Sequence, residues 1–444
     1  MNNSQAVAAR LRDSGWHFTV AATVLIAIVV GSRSSFGLFL SPINTATGLG
    51  LGTIGFAAAL GHLGQGVAQP LVGALSDRHG ASRVIAAGTA GFALATALLA
   101  MAADAVGLTA LILLAGVTGT AMGSVAMLLG EVTRRVPAER QGLAVGIVGA
   151  GGSVGQLVFG PVTQATIESA GWMAALWLTA SIALLALPLS LVFRRRAAMD
   201  TPVGVTGAAA TSRAITPVTA PKRSVAAAAG PAAGLASGAD DDVARALRRP
   251  AFWLIGGSFA VCGFHMSFLT MHMPGFIEHC GLPAGLAGAW LAVLGITNVS
   301  GSLAIGMLLK RHPPATLLLV LHVLRAIFIA GVLALPATAP ALLGFALAMG
   351  ATYMAILPPS TMLVTQTFGA RRLATLFGLL MLLHQIGSFA GVWLGGLAAG
   401  SLAGYRVAWL VDIALALLAA TLHLPFRQPR IPLAAIPAVA PRPA

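Results

Sequence analysis

The residues that could do chemistry in this sequence are the ionisable and amide side chains set inside long apolar runs. Arg33 stands in such a run, flanked by Ser32, Ser34 and Ser35. No acidic residue falls in the interior of any apolar run of the first half, and Glu131 lies only at the end of one. A charged side chain at the centre of a membrane helix costs about 2.5–3.5 kcal/mol on insertion scales, so it faces a cavity, a partner or, by snorkelling, the interface. An unpaired guanidinium in a water-filled cavity is a carboxylate clamp, because its planar fork presents two parallel N–H donors. Arg325 and Asp412 are the only ionisable residues other than histidine inside the apolar runs of the second half, and they are expected to neutralise each other.

Histidines and amides complete the polar set. His62, Gln65 and Gln69 fall at i, i+3 and i+7, one stripe of a helix. His265 and His272 are seven residues apart and share a face, with Thr270 near them. Asn298 and Ser302 share another, and His384, Gln385 and Ser388 a third. Each can serve as an interhelical hydrogen bonder or as a cavity ligand, and histidine can also carry protons near neutral pH. No nucleophile–base pair, metal cluster, HExxH or Walker A pattern is present, so neither an enzyme nor a metal or other cofactor is expected. Gly50-x-Gly52-x-x-Gly55 fits a dinucleotide fingerprint but opens a membrane helix instead of following a strand. Cys262 and Cys280, one inside an apolar run and one beyond its end, would be about 27 Å apart on a helix and cannot form a disulfide.

The elements that position these groups follow from composition. Of 444 residues, 57% are hydrophobic and 9% charged, against roughly 25% charged in soluble domains. Each membrane helix needs about 20 mostly apolar residues. Twelve spans are predicted, near 17–40, 52–74, 83–103, 106–130, 141–165 and 171–193, then 251–275, 284–309, 314–335, 340–364, 373–400 and 403–426. The blocks 17–193 and 251–426 are nearly equal in length, which suggests an internal duplication. Between them, 194–250 is an Ala/Gly/Pro/Thr/Ser tract with charged ends, predicted to be a flexible linker, with short tails at 1–16 and 427–444. The fold class expected is an all-α membrane protein of twelve helices in two six-helix halves.

The net charge of +14 is explained by topology and does not call for nucleic acid. Of the 26 Lys and Arg residues, two precede the first span, two join the second and third, and three join the fourth and fifth. The linker holds nine, the 8–9 loop two, the 10–11 loop two and the tail three, while the opposite side has only Arg406. This bias predicts that both termini and the linker are cytoplasmic.

Gly73-Ala-Leu75-Ser-Asp77-Arg78-His-Gly80-Ala-Ser-Arg83 occupies the turn between the second and third spans. It resembles the signature of the major facilitator superfamily, although Ala81 and Ser82 replace basic residues of its closing cluster. Phe36-Gly37-Leu38-Phe39 with Pro42, Gln69-Pro70, Gly152-Ser153-x-Gly155-Gln156, His272-x-Pro274 and Phe377-Gly378 through His384-Gln385-x-Gly387-Ser388 extend the likeness along the whole chain. Together they resemble a bacterial branch near the monocarboxylate porters and oxalate–formate antiporters.

That resemblance implies a secondary transporter of a small organic anion, with a monocarboxylate expected, in the bacterial inner membrane and working by alternating access, coupled to protons or by exchange. Arg33, Phe36, His265, Phe268, His272, Asn298, Tyr353, His384 and Gln385 are the expected substrate-binding residues. Gly73, Asp77, Arg78, Gly80 and Arg83 are the expected conformational gate, with Asp77 facing Thr375 and the basic loops at Arg134 and Arg371. The partners implied are a small carboxylate and the lipid bilayer, and a monomer is expected. The rival readings are passage of a larger aromatic compound such as a drug or vitamin, and a membrane receptor that binds without transporting.

Overall fold

The computed structural model describes residues 15–194, 239–369, 373–400 and 402–427. Most of the expected linker 194–250 and nearly all of both tails lie outside them. The described chain is all helical. In the first half, α1 is Trp16–Thr47, α2 Leu51–His79, α3 Ala81–Leu99, α4 Ala105–Arg135, α5 Ala138–Ala170 and α6 Trp172–Phe193. A short helix at Ala239–Leu247 leads into the second half. There α7 is Pro250–His279, α8 Gly285–Leu308, α9 Pro314–Ala334, α10 Ala339–Phe368, α11 Leu373–Ala398 and α12 Leu402–Leu422. Among the described residues eleven helices are long and apolar enough to cross a membrane. Only α2 falls short of that measure, because its glycines and its His62–Gln65–Gln69 stripe replace apolar residues.

Local sequence sets the irregular places. α1 tightens to a 3-10 turn over Phe36–Phe39, just past Arg33. α4 breaks at Ser124, whose backbone is extended. α10 breaks between Tyr353 and Leu357, where Pro358 and Pro359 remove two backbone donors from the ladder. The α2–α3 turn is sharp because Gly80 takes φ +83°, a conformation other residues rarely adopt, while its N–H caps Ser76 O at 2.8 Å.

Each half has its own core. One cluster gathers residues of α7 to α12 around Trp290, Phe268 and Trp409, with Leu38 of α1 reaching into it. The first half holds two clusters, one of which takes in Met271 of α7 and Val392 of α11. The halves touch at the face away from the linker. A Cβ added to Gly37 would meet the Thr270 and Met271 carbonyls, one on Gly55 would meet Gly396, and one on Gly288 would meet Gly160 and Gln164. Towards the linker face the same helices part. Gly73, Gly142, Gly146, Gly149, Gly306 and Gly378 have nothing within 4 Å of that position. Among the described residues the close contacts between the halves run from mid-helix to the far face, an arrangement closed at that face and open towards the linker face.

Candidate functional site

Arg33 sits half-buried at the centre of a polar node that joins the two halves. Its Nη1 donates to Gln65 Oε1 of α2 at 2.5 Å, and the same oxygen accepts from Gln385 Nε2 of α11 at 3.0 Å. No carboxylate lies within 4.0 Å of the guanidinium among the described residues. His62, His384 and Tyr353 are within its electrostatic reach. Beside it, Ser34 Oγ accepts from Gln156 Nε2 of α5 at 3.1 Å, fixing this stretch of α1.

Arg33 lines a cavity of about 100 Å³ with Phe36, His62, Gln65, Thr96, Phe92 and Met271 among its walls. The lining comes from α1 to α6 apart from Met271. The wall is largely apolar with one cation, the imidazole of His62 and the amide of Gln65, while the hydroxyls of Ser32 and Thr179 are turned onto their own helix carbonyls. Such a site suits a small organic anion: the charge meets the guanidinium, and the carbon skeleton meets Phe and Leu side chains.

Of the nine residues expected to bind substrate, only Arg33 and Phe36 line this cavity. Gln385 reaches the node through Gln65, and His384 packs 5.3 Å from the Phe259 ring. His265, Phe268, His272 and Tyr353 are held in the second half's own packing, and Asn298 at the seam between the halves. Phe268 is fully buried against Trp409, with ring centroids 4.8 Å apart. His272 donates from Nε2 to Val392 O at 2.8 Å. Asn298 donates to Ser153 Oγ of α5 at 2.8 Å and accepts from Met354 N at 3.0 Å, so it ties the halves together and braces the α10 break. Tyr353 donates its hydroxyl to Met266 O at 3.3 Å.

The expected Arg325–Asp412 pair is not formed. Arg325 donates from Nη2 to Thr352 O at 2.5 Å and Tyr353 O at 2.8 Å, and Nε points to Thr352 Oγ1 at 3.4 Å. These carbonyls belong to the last turn before the α10 break, where no helical N–H follows to serve them. Arg325 therefore caps a half-helix whose C-terminal end carries partial negative charge. Asp412 pairs instead with His265, whose Nδ1 lies 2.9 Å from both carboxylate oxygens. Sequence reasoning missed both assignments. Pro358-Pro359 inside a membrane span was the signal for the first, since a proline pair marks a helix restart, and the helix that ends before it leaves carbonyls that must find a donor.

The residues expected to form the gate lie at the α2–α3 turn on the linker face. Asp77, Arg78 and Arg83 are all exposed. Thr375, the expected neighbour of Asp77, is exposed too, and Arg371 lies outside the described residues. Arg134 and Arg135 both pair with Glu131, Arg135 at 2.7 Å, and Arg135 also lies over the Phe18 ring at 4.7 Å. Gln65 was visible in the sequence only as part of a stripe. Its depth matched that of Arg33: counted from the linker face, the two lie about 21 and 25 Å along their helices. No group of three His, Cys, Asp or Glu able to hold a metal ion occurs among the described residues.

The sequence matches the profile of the Major Facilitator Superfamily over residues 22–391. Its fold is similar to that of a bacterial homolog of the human lysosomal transporter Spinster in an inward-facing, unoccupied conformation, with a TM-score of 0.67 and 16% identity over 92% of this chain and 96% of that one. It is also similar to the nucleoside transporter NupG, with a TM-score of 0.69 and 12% identity over 94% and 99% of the two chains. The D-xylose–proton symporter is alike to the same degree, at a TM-score of 0.69 and 14% identity over 93% and 97%. At these identities the likeness is one of fold. No curated protein is similar enough to match this chain by sequence.

Proposed function

The chain belongs to the Major Facilitator Superfamily, and from that premise we propose that it carries a small organic anion, a monocarboxylate in the first instance, through the bacterial inner membrane by alternating access. The observation that carries this reading is the Arg33 guanidinium, which lines a small cavity with a neutral amide oxygen as its only hydrogen-bond acceptor among the described residues. Gln65 Oε1 stands where one carboxylate oxygen of the substrate would stand. An arriving carboxylate takes the guanidinium through two charge-assisted bonds and displaces the amide. A cavity of about 100 Å³ suits a solute of a few heavy atoms better than a drug-sized one.

The same displacement couples binding to movement. Gln65 Oε1 also holds Gln385 of the other half. Losing that bond loosens the contact between α2 and α11, so substrate chemistry acts on the seam along which the halves rock. We place the linker face in the cytoplasm, on the strength of the Lys and Arg bias, which makes the open state described here inward-open. The gate reading of Asp77 is kept as part of the proposal: exposed and unlatched in this state, it would engage when the linker face closes.

The test is thermal stabilisation of the purified protein by a panel of carboxylates, since a ligand that binds only the folded state must raise its melting temperature. Formate, acetate, lactate, pyruvate and oxalate are compared with uncharged sugars and nucleosides. Stabilisation by a carboxylate in wild type, lost in Arg33→Gln, supports the reading. Stabilisation by an uncharged solute alone, or by a carboxylate equally in both proteins, refutes it. Binding without flux in proteoliposomes would favour a receptor.

A further inference from the structure

The far face, where the halves close, holds a second and larger cavity. About 450 Å³ in volume, it lies across the seam, between the last turns of α1, α5 and α7 and the starts of α6 and α8. Thr45 of α1, Gln164 and Glu168 of α5, Trp172 of α6 and Glu278 of α7 are among its walls, and no Lys or Arg lines it. Neither carboxylate has a cation within 4.0 Å among the described residues. Glu168 Oε1 accepts from Gln164 Nε2 at 2.9 Å, and it would lie 3.3 Å from a Cβ added to Gly285, the first residue of α8. The Glu278 carboxylate accepts no hydrogen bond among the described residues. Gln164 is 6% exposed, yet its own Oε1 receives no donor there. An amide oxygen buried without a donor, in the wall of a cavity that also holds two unpaired carboxylates, calls for a positively charged donor.

The backbone does not compensate these charges. A helix end carries about half a charge, negative at the C-terminus and positive at the N-terminus. Three helices end at the cavity and two begin there, so the dipoles leave it slightly negative and the carboxylates set the sign. His279 follows Glu278, but its Nδ1 is turned back onto Gly275 O at 2.9 Å. The two carboxylates also belong to different halves. Rocking that opens the far face carries them apart, and closure brings both into one cavity. Like charges drawn together oppose closure until a cation sits between them. The size of the cavity and its lining decide which cation. Its volume far exceeds that of a bare ion, and no group of three His, Cys, Asp or Glu able to hold a metal occurs among the described residues. The indole of Trp172 offers an aromatic face, which favours an organic ammonium.

We propose that this far-face cavity binds an organic dication, a diamine or polyamine, which bridges Glu168 of the first half and Glu278 of the second and holds the far face closed. One ammonium group meets Glu168 and the free Gln164 oxygen, and the other meets Glu278. The alkyl chain between them lies against Trp172 and Ile167. Because the site is complete only when the halves meet here, its occupant stabilises the state open at the linker face and slows the return to the opposite one. The dication is a regulator and not cargo: the cavity shares no lining residue with the one that Arg33 lines. The inference therefore stands apart from the anion reading and needs only the rocking of the two halves.

The experiment titrates the purified full-length protein with 1,4-diaminobutane at constant ionic strength and follows the melting temperature. Saturable stabilisation is expected, with butylamine and sodium chloride far weaker. Glu168→Gln and Glu278→Gln should each raise the half-saturating concentration about fivefold, the loss of one charge contact at about 4 Å in water, and the double variant should lose saturation. Arg33→Gln should respond as wild type does, whether or not any carboxylate binds. A second arm reads the movement on a background lacking Cys262 and Cys280. A cysteine in place of Gly52, which faces Leu397 across the seam, should be labelled from the far side more slowly when the diamine is present. Equal stabilisation of wild type and the double variant, or by butylamine and the diamine alike, would overturn the proposal. So would loss of the response in Arg33→Gln, which would put the diamine in the central cavity. Saturation by calcium alone would make the site a metal site, and an unchanged labelling rate would refute the bridge.

Discussion

Replacing Arg33 with Gln tests the anion reading most directly, and the structure sets the size of the effect. A carboxylate about 4 Å from the guanidinium gains about 4 kcal/mol at an effective dielectric constant of about 20. Binding also breaks the Arg33–Gln65 hydrogen bond, worth about 1.5–3 kcal/mol for a charged donor. The difference is about 2 kcal/mol, so Arg33→Gln should weaken carboxylate binding about 30-fold. Arg33→Lys should fall between, since a point charge cannot make the bidentate fork. The structure adds a sharper expectation for Gln65. If its amide oxygen is a stand-in for the substrate, Gln65→Met removes a competitor and tightens binding about tenfold, even as it cuts the link to Gln385. Calorimetric titration of the best carboxylate from the panel reads all three constants. Weakened binding in Gln65→Met, parallel to Arg33→Gln, would mean that the amide is itself a ligand, and unchanged binding in Arg33→Gln would refute the clamp.

Further outcomes follow from other parts of the fold. Arg325→Met should lower stability by about 3–5 kcal/mol in thermal unfolding, because the Thr352 and Tyr353 carbonyls lose a buried cationic donor; an unchanged melting temperature would mean those carbonyls are served from elsewhere. Asp77→Asn should leave melting unchanged in this open state while shifting the resting population further towards it, read as cysteine accessibility on a background lacking Cys262 and Cys280; a collapse of binding alone would make Asp77 a ligand. Gly55→Leu should prevent closure of the far face, since its Cβ would strike Gly396, whereas Gly146→Leu, with nothing near it here, should be tolerated in this state and oppose closure of the linker face. Opposite shifts in accessibility are expected from those two, and equal shifts would contradict the rocking geometry.

The outline of this fold was legible because apolar length, glycine turns and the Lys and Arg bias are one-dimensional signals. The spans, the two halves and the sharp turn at Gly80 all come from such signals. α2 shows the limit: its glycines, His62 and Gln65 dilute the apolar pattern because they face the seam between the halves, so the helix that matters most to the site is the least conspicuous as a membrane span. The depth of a residue is also readable, which is why the charges of α9 and α12 were expected near one another; the equal depth of Arg33 and Gln65 was there to be read in the same way. What sequence does not give is the azimuth of each side chain around its helix. Arg325 and Asp412 share a depth and opposite sign, and pairing them was the economical guess. Arg325 was drawn instead to the carbonyls of Thr352 and Tyr353, left without helical donors where α10 breaks, and Asp412 to an imidazole on α7. Both outcomes follow one rule: inside a membrane an unsatisfied backbone or carboxylate oxygen takes the nearest donor, and the nearest donor is set by helix rotation. The same rule makes Arg33 informative. In a fold where buried polar groups find strong partners wherever geometry allows, a guanidinium left among the described residues with one shared amide oxygen is why the proposed function has its missing partner arrive from outside.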